Sequence, residues 1–304
     1  MGRDVFDASR AARRVFDEAD ERLEMRLSKL CFEGPEDELR RTEIQQPAIL
    51  TTSIALLRAL EEQVGPLDPG YLGGHSLGEY SALVAAGALE FKDAVATVHV
   101  RGRLMQEAVA DGRGAMAAVI GVGSAVVEEA CRAAAEETGL VVTPANFNSP
   151  NQIVVAGDAT AVEIACDRAH RLGAQKIVPL DVSAPFHCSL MEPAAEKLSA
   201  ELAQLRFQDA DPPVITNVEA EPNAQAARMP ELLRKQMTAP VRFSDMIYRM
   251  RALGIDRFLE VGPGQVLSGL IGRIERRARR ANFSSLAELE AVRDFVADSN
   301  EDAN

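Results

Sequence analysis

The chain has 304 residues, of which 47% are apolar and 26% charged, and this composition suits one large domain or a domain with an insertion. A net charge of −13 argues against nucleic-acid binding as a property of the whole protein. No apolar stretch reaches transmembrane length and no signal peptide opens the sequence, so we expect a cytoplasmic protein that makes no contact with a membrane.

The N-terminal part of the chain is predicted to be helical. Apolar residues recur at helical spacing over residues 4–30, and a short charged segment follows over residues 36–41. A second helix is predicted over residues 45–60, with Pro47 in its first turn, where a missing N–H breaks no helical hydrogen bond. A turn-rich link over residues 65–70 then leads into the next motif.

That motif, Gly74-His75-Ser76-Leu77-Gly78, has the G-x-S-x-G pattern of a nucleophile elbow. A short strand is predicted over residues 70–73 and a helix over residues 80–86, which is the context such an elbow needs. The pattern predicts that Ser76 is a nucleophile and that the Leu77 N–H, at the helix N-terminus, faces a developing oxyanion. A glycine-rich turn with an idle serine is the alternative.

The sequence G-H-S-L-G-E-Y-S-A-L around Ser76 resembles the nucleophile motif of malonyl-CoA:acyl-carrier-protein transacylases and of the related acyltransferase domains of polyketide synthases. The resemblance covers nearly the whole chain. It implies transfer of a malonyl group from malonyl-CoA to the phosphopantetheine thiol of an acyl carrier protein, through a malonyl-serine intermediate and without a cofactor. Whether the carrier protein serves fatty-acid or polyketide synthesis stays open.

A further helix is predicted over residues 91–109, and it carries Arg101. The stretch R-G-x-x-M-Q-E resembles the family segment whose first arginine binds the malonyl carboxylate. A planar, permanently charged guanidinium can bind a carboxylate with two hydrogen bonds, although many helical arginines simply face solvent. The resemblance also brings the helix of residues 45–60 beside the site. There Gln46 either contacts substrate or is an ordinary polar residue near a helix N-terminus.

Residues 114–182 are predicted to follow the order strand, helix, strand, strand, helix, strand, which is that of a small ferredoxin-like unit. The predicted strands cover residues 114–121, 140–147, 152–157 and 175–182, and the helices residues 124–138 and 160–172. The resembling family carries such a unit inside an α/β-hydrolase-like domain with a parallel sheet. We therefore expect an α/β protein in which residues 1–113 and 183–304 form the acyltransferase domain and residues 114–182 an inserted ferredoxin-like subdomain.

The general base is expected at His187. Of the four histidines it alone follows a predicted strand in a loop, and a serine nucleophile needs a base within reach of a hydrogen bond. Ser183-Ala-Pro-Phe-His187 also resembles the family motif S-x-x-F-H, which ends in the catalytic histidine. Gln236 matches a family glutamine whose backbone carbonyl orients the imidazole in place of a triad acid.

The C-terminal part is predicted to contain further helices and strands. The helices are predicted over residues 190–205, 230–237 and 244–253, and the strands over residues 213–218 and 257–261. The second strand leads to Gly262-Pro263-Gly264 and then to a basic helix that holds the only dense group of arginines, Arg273, Arg276, Arg277, Arg279 and Arg280. This helix either faces solvent or contacts an acidic carrier protein.

No metal site is predicted from the cysteines. Cys31, Cys131, Cys166 and Cys188 lack C-x-x-C spacing, so we expect reduced thiols and no bound metal.

Two other functions stay open. An esterase or thioesterase of the α/β-hydrolase type would need an acid between Ser76 and His187, for which Asp158 and Asp181 are candidates. The other hypothesis is a truncated, non-catalytic form that binds carrier protein. This hypothesis rests on the absence from the given sequence of the first strand and P-G-Q-G turn with which family members open. In the family, the N–H of that glutamine supplies half of the oxyanion hole. Since Met1-Gly2-Arg3-Asp4 resembles family sequence beyond that turn, we expect a weakened sheet and slow catalysis.

Overall fold

The computed structural model describes residues 1–110, 112–182 and 184–301. Ser183, the first residue of the predicted S-x-x-F-H motif, lies outside these residues, as do residues 302–304. The N-terminal part is helical, as α1 (Arg3–Ala8), α2 (Arg10–Leu23), α3 (Leu27–Glu33), α4 (Glu36–Arg40) and α5 (Thr42–Val64).

The single helix predicted over residues 4–30 is wrong, because the chain forms three helices there. Ser9 is extended, and its hydroxyl accepts a hydrogen bond from the Ala12 N–H at 3.0 Å, which begins α2. Glu24, with φ 51°, ends α2. The apolar residues therefore keep a helical spacing through two breaks in the helix, at Ser9 and at Glu24. Capping residues determine these breaks, and the periodicity does not reveal them.

The helix predicted over residues 45–60 begins earlier, at Thr42, so Pro47 lies inside α5 instead of in its first turn. Proline has no N–H for the carbonyl four residues before it, that of Glu43. The Glu43 carbonyl instead accepts a hydrogen bond from His99 Nδ1 at 2.9 Å. A side chain from elsewhere in the fold therefore compensates for the proline.

The elbow segment follows as β1 (Leu72–Gly73), α6 (Gly78–Ala85) and α7 (Phe91–Glu107). Most of the buried apolar residues of α5, α6 and α7 belong to the largest hydrophobic core among the described residues. Backbones approach closely where α7 meets the start of α5, because a Cβ on Gly102 would lie 2.5 Å from the Thr42 carbonyl oxygen. This packing holds Arg101, the residue before Gly102, against the elbow.

The next unit has the strand and helix order predicted from the sequence. It consists of β2 (Gly114–Ile120), α8 (Ser124–Thr138), β3 (Val142–Ser149), β4 (Gln152–Asp158), α9 (Ala159–Arg171) and β5 (Lys176–Pro179). The sheet order is β3-β4-β2-β5 with every pair antiparallel, which is a ferredoxin-like arrangement. Residues such as Val119, Ile153 and Val127 form its own apolar core.

This inserted unit contacts the rest of the protein through one edge of its sheet and through one face of that sheet, which shares a hydrophobic cluster with the main body. The Phe147 N–H donates to the Val241 carbonyl, and the Val241 N–H donates to the Ala145 carbonyl, both at 2.9 Å. His75, in the elbow, lies 2.8 Å from Asn148 Oδ1 through its Nε2. The turn between β3 and β4 is thereby held beside the nucleophile. The exact division of the chain into 1–113 with 183–304, and 114–182, stays a prediction.

The C-terminal part completes the main body with short strands and helices. They are α10 (Glu192–Leu202), β6 (Val214–Ile215), β7 (Pro222–Asn223), α11 (Met229–Gln236), α12 (Phe243–Ala252), β8 (Arg257–Val261), α13 (Val266–Ile274), β9 (Arg279–Phe283) and α14 (Leu289–Glu301). β1 pairs in parallel with β6, β6 pairs antiparallel with β7, and β8 pairs in parallel with β9.

The basic helix predicted to contain all five arginines is wrong. α13 ends at Ile274, and Arg279 and Arg280 begin β9 instead. The strand forms because Arg279 to Phe283 pair residue by residue with β8, and Phe283 is fully buried. Charge density along the sequence therefore did not reveal this strand, which is specified by its parallel partner.

Candidate active site

Ser76 occupies a strained turn between β1 and α6. Its φ of 52° lies in the left-handed region, which is uncommon for a residue other than glycine. A Cβ at position 74 would lie 2.2 Å from backbone atoms of Gly78, so only glycine fits there. The turn is therefore as tight as the G-x-S-x-G pattern predicts, with Ser76 at its apex and α6 directly behind it.

The Ser76 hydroxyl meets the imidazole of His187. Ser76 Oγ lies 2.8 Å from His187 Nε2, and His187 Nδ1 lies 2.8 Å from the backbone carbonyl oxygen of Gln236. Because a carbonyl only accepts, Nδ1 carries the proton and Nε2 is free to accept one from the serine. Burial, and then the positive charge of Arg101, lower the pKa of His187 to about 3, so the ring is neutral at neutral pH, as a base must be.

His187 itself also has a left-handed backbone, with φ 60°. Both partners of the Ser76–His187 hydrogen bond are thus strained residues. Such conformations persist only where the surroundings hold them, and they concentrate at functional sites.

The guanidinium of Arg101 lies beside the same hydroxyl. Nη2 donates to Ser76 Oγ at 3.0 Å and to Gln236 Oε1 at 2.9 Å, and Nη1 donates to Gln46 Oε1 at 2.5 Å. The side chain is 1% exposed and lies 5.6 Å from the centre of the Tyr80 ring. These hydrogen-bond partners are all neutral, so a buried cation faces the nucleophile and would be stabilised by an incoming carboxylate.

The two glutamines predicted from the sequence lie on either side of this guanidinium. Gln46 is 6% exposed and also donates from Nε2 to Met105 Sδ at 3.6 Å. Gln236 is fully buried and contributes both its backbone carbonyl, to His187, and its side-chain carbonyl, to Arg101. One residue therefore aligns the base and the cation together.

Leu77 occupies the N-cap position of α6, with φ −52° and ψ −36°. Within the described residues its N–H makes no hydrogen bond. This N–H lies at the positive end of the α6 dipole and beside the nucleophile, which is where an oxyanion would form.

Asn217 and Glu79 belong to the site, although the sequence analysis did not select either. Asn217 Oδ1 accepts from the Ser76 N–H at 2.6 Å, and Asn217 Nδ2 donates to the Gly74 carbonyl at 2.7 Å. Glu79 lies in the first turn of α6 and is 2% exposed. The available signal for Asn217 was a polar side chain just after a buried strand, which is too common a pattern to be diagnostic.

Burial dominates the electrostatics of Glu79. It raises the pKa of this carboxyl to about 7, while hydrogen bonds from Gln236 and Asn217 and the charge of Arg101 lower it. The carboxyl is therefore expected to exchange between its ionised and neutral forms near neutral pH.

The acids proposed for an esterase triad do not reach the base. Asp158 accepts from Arg113 Nε and from the Val141 N–H, each at 3.0 Å. Asp181 lies 3.7 Å from Arg40 Nη1. Since His187 Nδ1 is bound by a backbone carbonyl, this site orients its base without a carboxylate.

The described residues contain neither a metal site nor a membrane-spanning helix. Over the described ranges, no group of three or more histidine, cysteine or acidic side chains is arranged to hold a metal ion. In the same part of the chain, no helix is long and apolar enough to cross a membrane.

Comparisons with known proteins show the family of this chain. A family described as "Acyl transferase domain" matches residues 1–285. Among curated relatives, the malonyl CoA-acyl carrier protein transacylase of Bacillus subtilis (strain 168) is 46% identical over 303 residues, covering 100% of this chain and 95% of the relative. The enzyme of the same name from Escherichia coli (strain K12) is 47% identical over 260 residues, covering 86% of this chain and 83% of the relative.

Solved structures show the same fold. The malonyl CoA-acyl carrier protein transacylase of Coxiella burnetii superposes with a TM-score of 0.94 at 38% identity, covering 97% of this chain and 93% of that one. A malonyl-transacylase in complex with a type II polyketide acyl-carrier protein superposes with a TM-score of 0.92 at 40% identity, covering 96% and 93%. The α/β class with an α/β-hydrolase-like domain and an inserted ferredoxin-like unit is thus confirmed, although the sheet of β1, β6 and β7 is mixed, because β7 runs antiparallel to β6.

Proposed function

The chain belongs to the acyl transferase family, and on this premise we propose that it transfers a malonyl group from malonyl-CoA to the phosphopantetheine thiol of an acyl carrier protein. The transfer passes through a malonyl ester of Ser76. The observation that carries the proposal is the meeting of two groups at one oxygen: Ser76 Oγ contacts both His187 Nε2 and Arg101 Nη2.

The first half-reaction loads the serine. Ser76 Oγ attacks the thioester carbonyl of malonyl-CoA, and its proton moves to His187 Nε2. The Gln236 carbonyl, which holds Nδ1–H, stabilises the resulting imidazolium. The Leu77 N–H and the N-terminus of α6 stabilise the oxyanion of the tetrahedral intermediate. The C–S bond then breaks, and His187 returns its proton to the leaving thiolate of coenzyme A.

The second half-reaction runs the same chemistry in reverse with a different thiol. The phosphopantetheine thiol gives its proton to His187 as its sulfur attacks the malonyl ester. The C–O bond to Ser76 breaks, and the proton passes from His187 back to Ser76 Oγ. Both half-reactions balance with the groups already present, so neither requires a cofactor.

Arg101 selects the acyl group by pairing with the malonyl carboxylate. Its two guanidinium edges are held by Gln46 and Gln236, so little freedom is lost when the carboxylate binds. Burial lowers the pKa of this guanidinium, because a low-dielectric pocket disfavours an uncompensated cation, while the nearby Tyr80 and Glu79 raise it. A malonyl group supplies the missing negative charge, whereas an acetyl group does not.

The test is to incubate the protein with malonyl-CoA and to measure its intact mass. The expected result is one malonyl adduct, lost in Ser76→Ala and retained in Ser81→Ala, a control serine in α6 five residues after the nucleophile. Adding a carrier protein with its phosphopantetheine arm should then move the label to that arm.

Two outcomes would contradict the proposal. A full adduct on Ser76→Ala would remove the nucleophile from its role. Release of free malonate, in place of malonyl carrier protein, would indicate an esterase or thioesterase.

A further inference from the structure

Glu79 and Asn217 lie behind the nucleophile and take no part in the steps above. Glu79 is 2% exposed on α6, and Asn217 is fully buried two residues after β6. Apart from a bond from Asn217 Nδ2 to Met246 Sδ at 3.6 Å, their side-chain hydrogen bonds within the described residues run to backbone and amide groups of the elbow and its support, not to the Ser76 hydroxyl.

The amide of Asn217 bridges the two sides of the elbow. Its Oδ1 accepts from the Ser76 N–H at 2.6 Å, and its Nδ2 donates to the Gly74 carbonyl at 2.7 Å. A side-chain amide thereby takes the place of the backbone partners that a tight turn lacks.

The carbonyl of Ser76 is held from the other direction by Gln236. Gln236 Nε2 donates to the Ser76 carbonyl at 2.9 Å and to Glu79 Oε2 at 2.8 Å. The same oxygen of Glu79 accepts from the Asn217 N–H at 3.0 Å. The two residues whose side chains bind the Ser76 backbone, Asn217 and Gln236, are therefore both tied to one carboxylate oxygen.

The direction of these bonds follows from donor and acceptor chemistry. An ionised carboxylate and a carbonyl only accept, so the NH₂ group of Gln236 must face Glu79 and Ser76. Its Oε1 is then left to face Arg101, which only donates. The opposite amide orientation would place donors against the guanidinium and acceptors against Glu79.

We propose that Glu79 and Asn217 are positioning residues for the transfer reaction, which together hold the strained backbone of Ser76 where its hydroxyl meets His187 and the substrate. The inference rests on the proposed function, because it concerns the same nucleophile. A positive φ at a non-glycine residue relaxes unless its surroundings hold it. Asn217 binds the Ser76 N–H directly, and Glu79 holds the Gln236 amide that donates to the Ser76 carbonyl.

Three variants separate this role from a general loss of packing. Glu79→Leu removes the acceptor oxygen, and Asn217→Ala removes the bridge across the elbow. Glu79→Gln keeps an oxygen that can accept from both donors and removes only the charge. Asn223→Ala is the matched control, because Asn223 is 4% exposed and its amide donates to the Gln225 carbonyl and, within the described residues, to no atom of the elbow.

The measurement is the single-turnover rate of Ser76 acylation by malonyl-CoA and by acetyl-CoA, on variants shown to be folded by thermal unfolding. Because a nucleophile displaced by about 1 Å loses about 10²-fold in rate, Glu79→Leu and Asn217→Ala should each lower both rates by about that factor. The acylation rate of Glu79→Gln should be within about fivefold of that of the unsubstituted protein. A loss of this size corresponds to the weakening of about one hydrogen bond. The concentration of malonyl-CoA at half-maximal rate should change less than the rate.

The proposal is overturned if folded Glu79→Leu acylates at the unsubstituted rate, or if Glu79→Gln is as slow as Glu79→Leu. If Glu79→Leu does not fold, Asn217→Ala decides alone, and equal rates for it and Asn223→Ala overturn the proposal. Absence of any malonyl adduct on the unsubstituted protein would instead contradict the proposed function, so the two failures are distinguishable.

Discussion

The inserted unit and the nucleophile site are built in opposite ways. β2 and β4 pair without interruption from Gly114–Asp158 to Ile120–Gln152, over a core of small and branched apolar residues. At the nucleophile, Ser76 and His187 both have left-handed backbones, and the side chains around them are buried polar groups. The scaffold thus follows regular rules of pairing and burial, whereas the chemistry occupies the places where those rules are broken.

The two regions nevertheless meet. The imidazole of His75 lies between them, 2.8 Å from Asn148 Oδ1 and with its ring centre 5.7 Å from that of Phe243. The inserted unit therefore supports the nucleophile site at the end of β3, next to the turn between β3 and β4. Substitutions in each region should then have separable effects, on stability in the insert and on chemistry at the site.

The largest effect is expected from Arg101→Ala. Malonyl loading should fall by about 10²–10³-fold, because a buried charge-assisted pair with the substrate carboxylate is lost. Acetyl loading should persist or rise, since the buried cation no longer disfavours an uncharged acyl group. The measurement is the rate of acylation by each coenzyme A thioester.

Arg103→Ala is the control for that substitution, because Arg103 lies on the same helix and is exposed. It should leave both rates unchanged. An equal fall in malonyl and acetyl loading for Arg101→Ala would show that Arg101 supports the fold instead of selecting the acyl group.

A smaller effect is expected in the inserted unit, and it concerns the free energy of unfolding instead of the rate of malonyl loading. Ile153 is 1% exposed in β4, so Ile153→Ala should lower the free energy of unfolding by about 2–5 kcal/mol and Ile153→Val by about 0.5–1.5 kcal/mol. Malonyl loading per folded molecule should stay unchanged below the melting temperature. Urea unfolding and the loading assay measure the two quantities, and a parallel fall in loading would show that the regions are not separable.

The smallest effect is a dependence of stability on pH that belongs to the site. The folded pKa of Glu79, about 7, is raised from 4.5, so its contribution to stability is present below pH 4.5 and is lost as pH rises through 7. His187 acts in the opposite sense: its folded pKa of about 3 is lowered from 6.5, so stability is lost as pH falls below 6.5.

Glu79→Gln isolates the first of these contributions. The free energy of unfolding of the unsubstituted protein, minus that of Glu79→Gln, should decrease between pH 5 and pH 8 by on the order of 1–3 kcal/mol. Cys131→Ala is the control in the insert, because burial raises the pKa of that thiol to about 12 and it stays neutral at both pH values. A constant difference for Glu79→Gln would contradict the expected titration.

Local sequence determined the regular elements well where one element buries one face. The helix predicted over residues 124–138 and the strand predicted over residues 257–261 have the observed bounds of α8 and β8. The G-x-S-x-G pattern likewise encodes its own turn, because a Cβ at position 74 would collide with the backbone of Gly78. Such features depend on residues a few positions apart, and their periodicity and sterics are visible in the sequence.

Only the tertiary structure decided the rest, because the remaining partners are far apart in the chain. Gln236 reaches the Ser76 carbonyl across 160 positions, and Asn217 reaches the Gly74 carbonyl across 143. The carbonyl freed by Pro47 and the strand that begins at Arg279 likewise depend on His99 and on β8. A polar side chain in a sequence shows that it can form a hydrogen bond, but packing of distant elements determines its partner and removes the competing water.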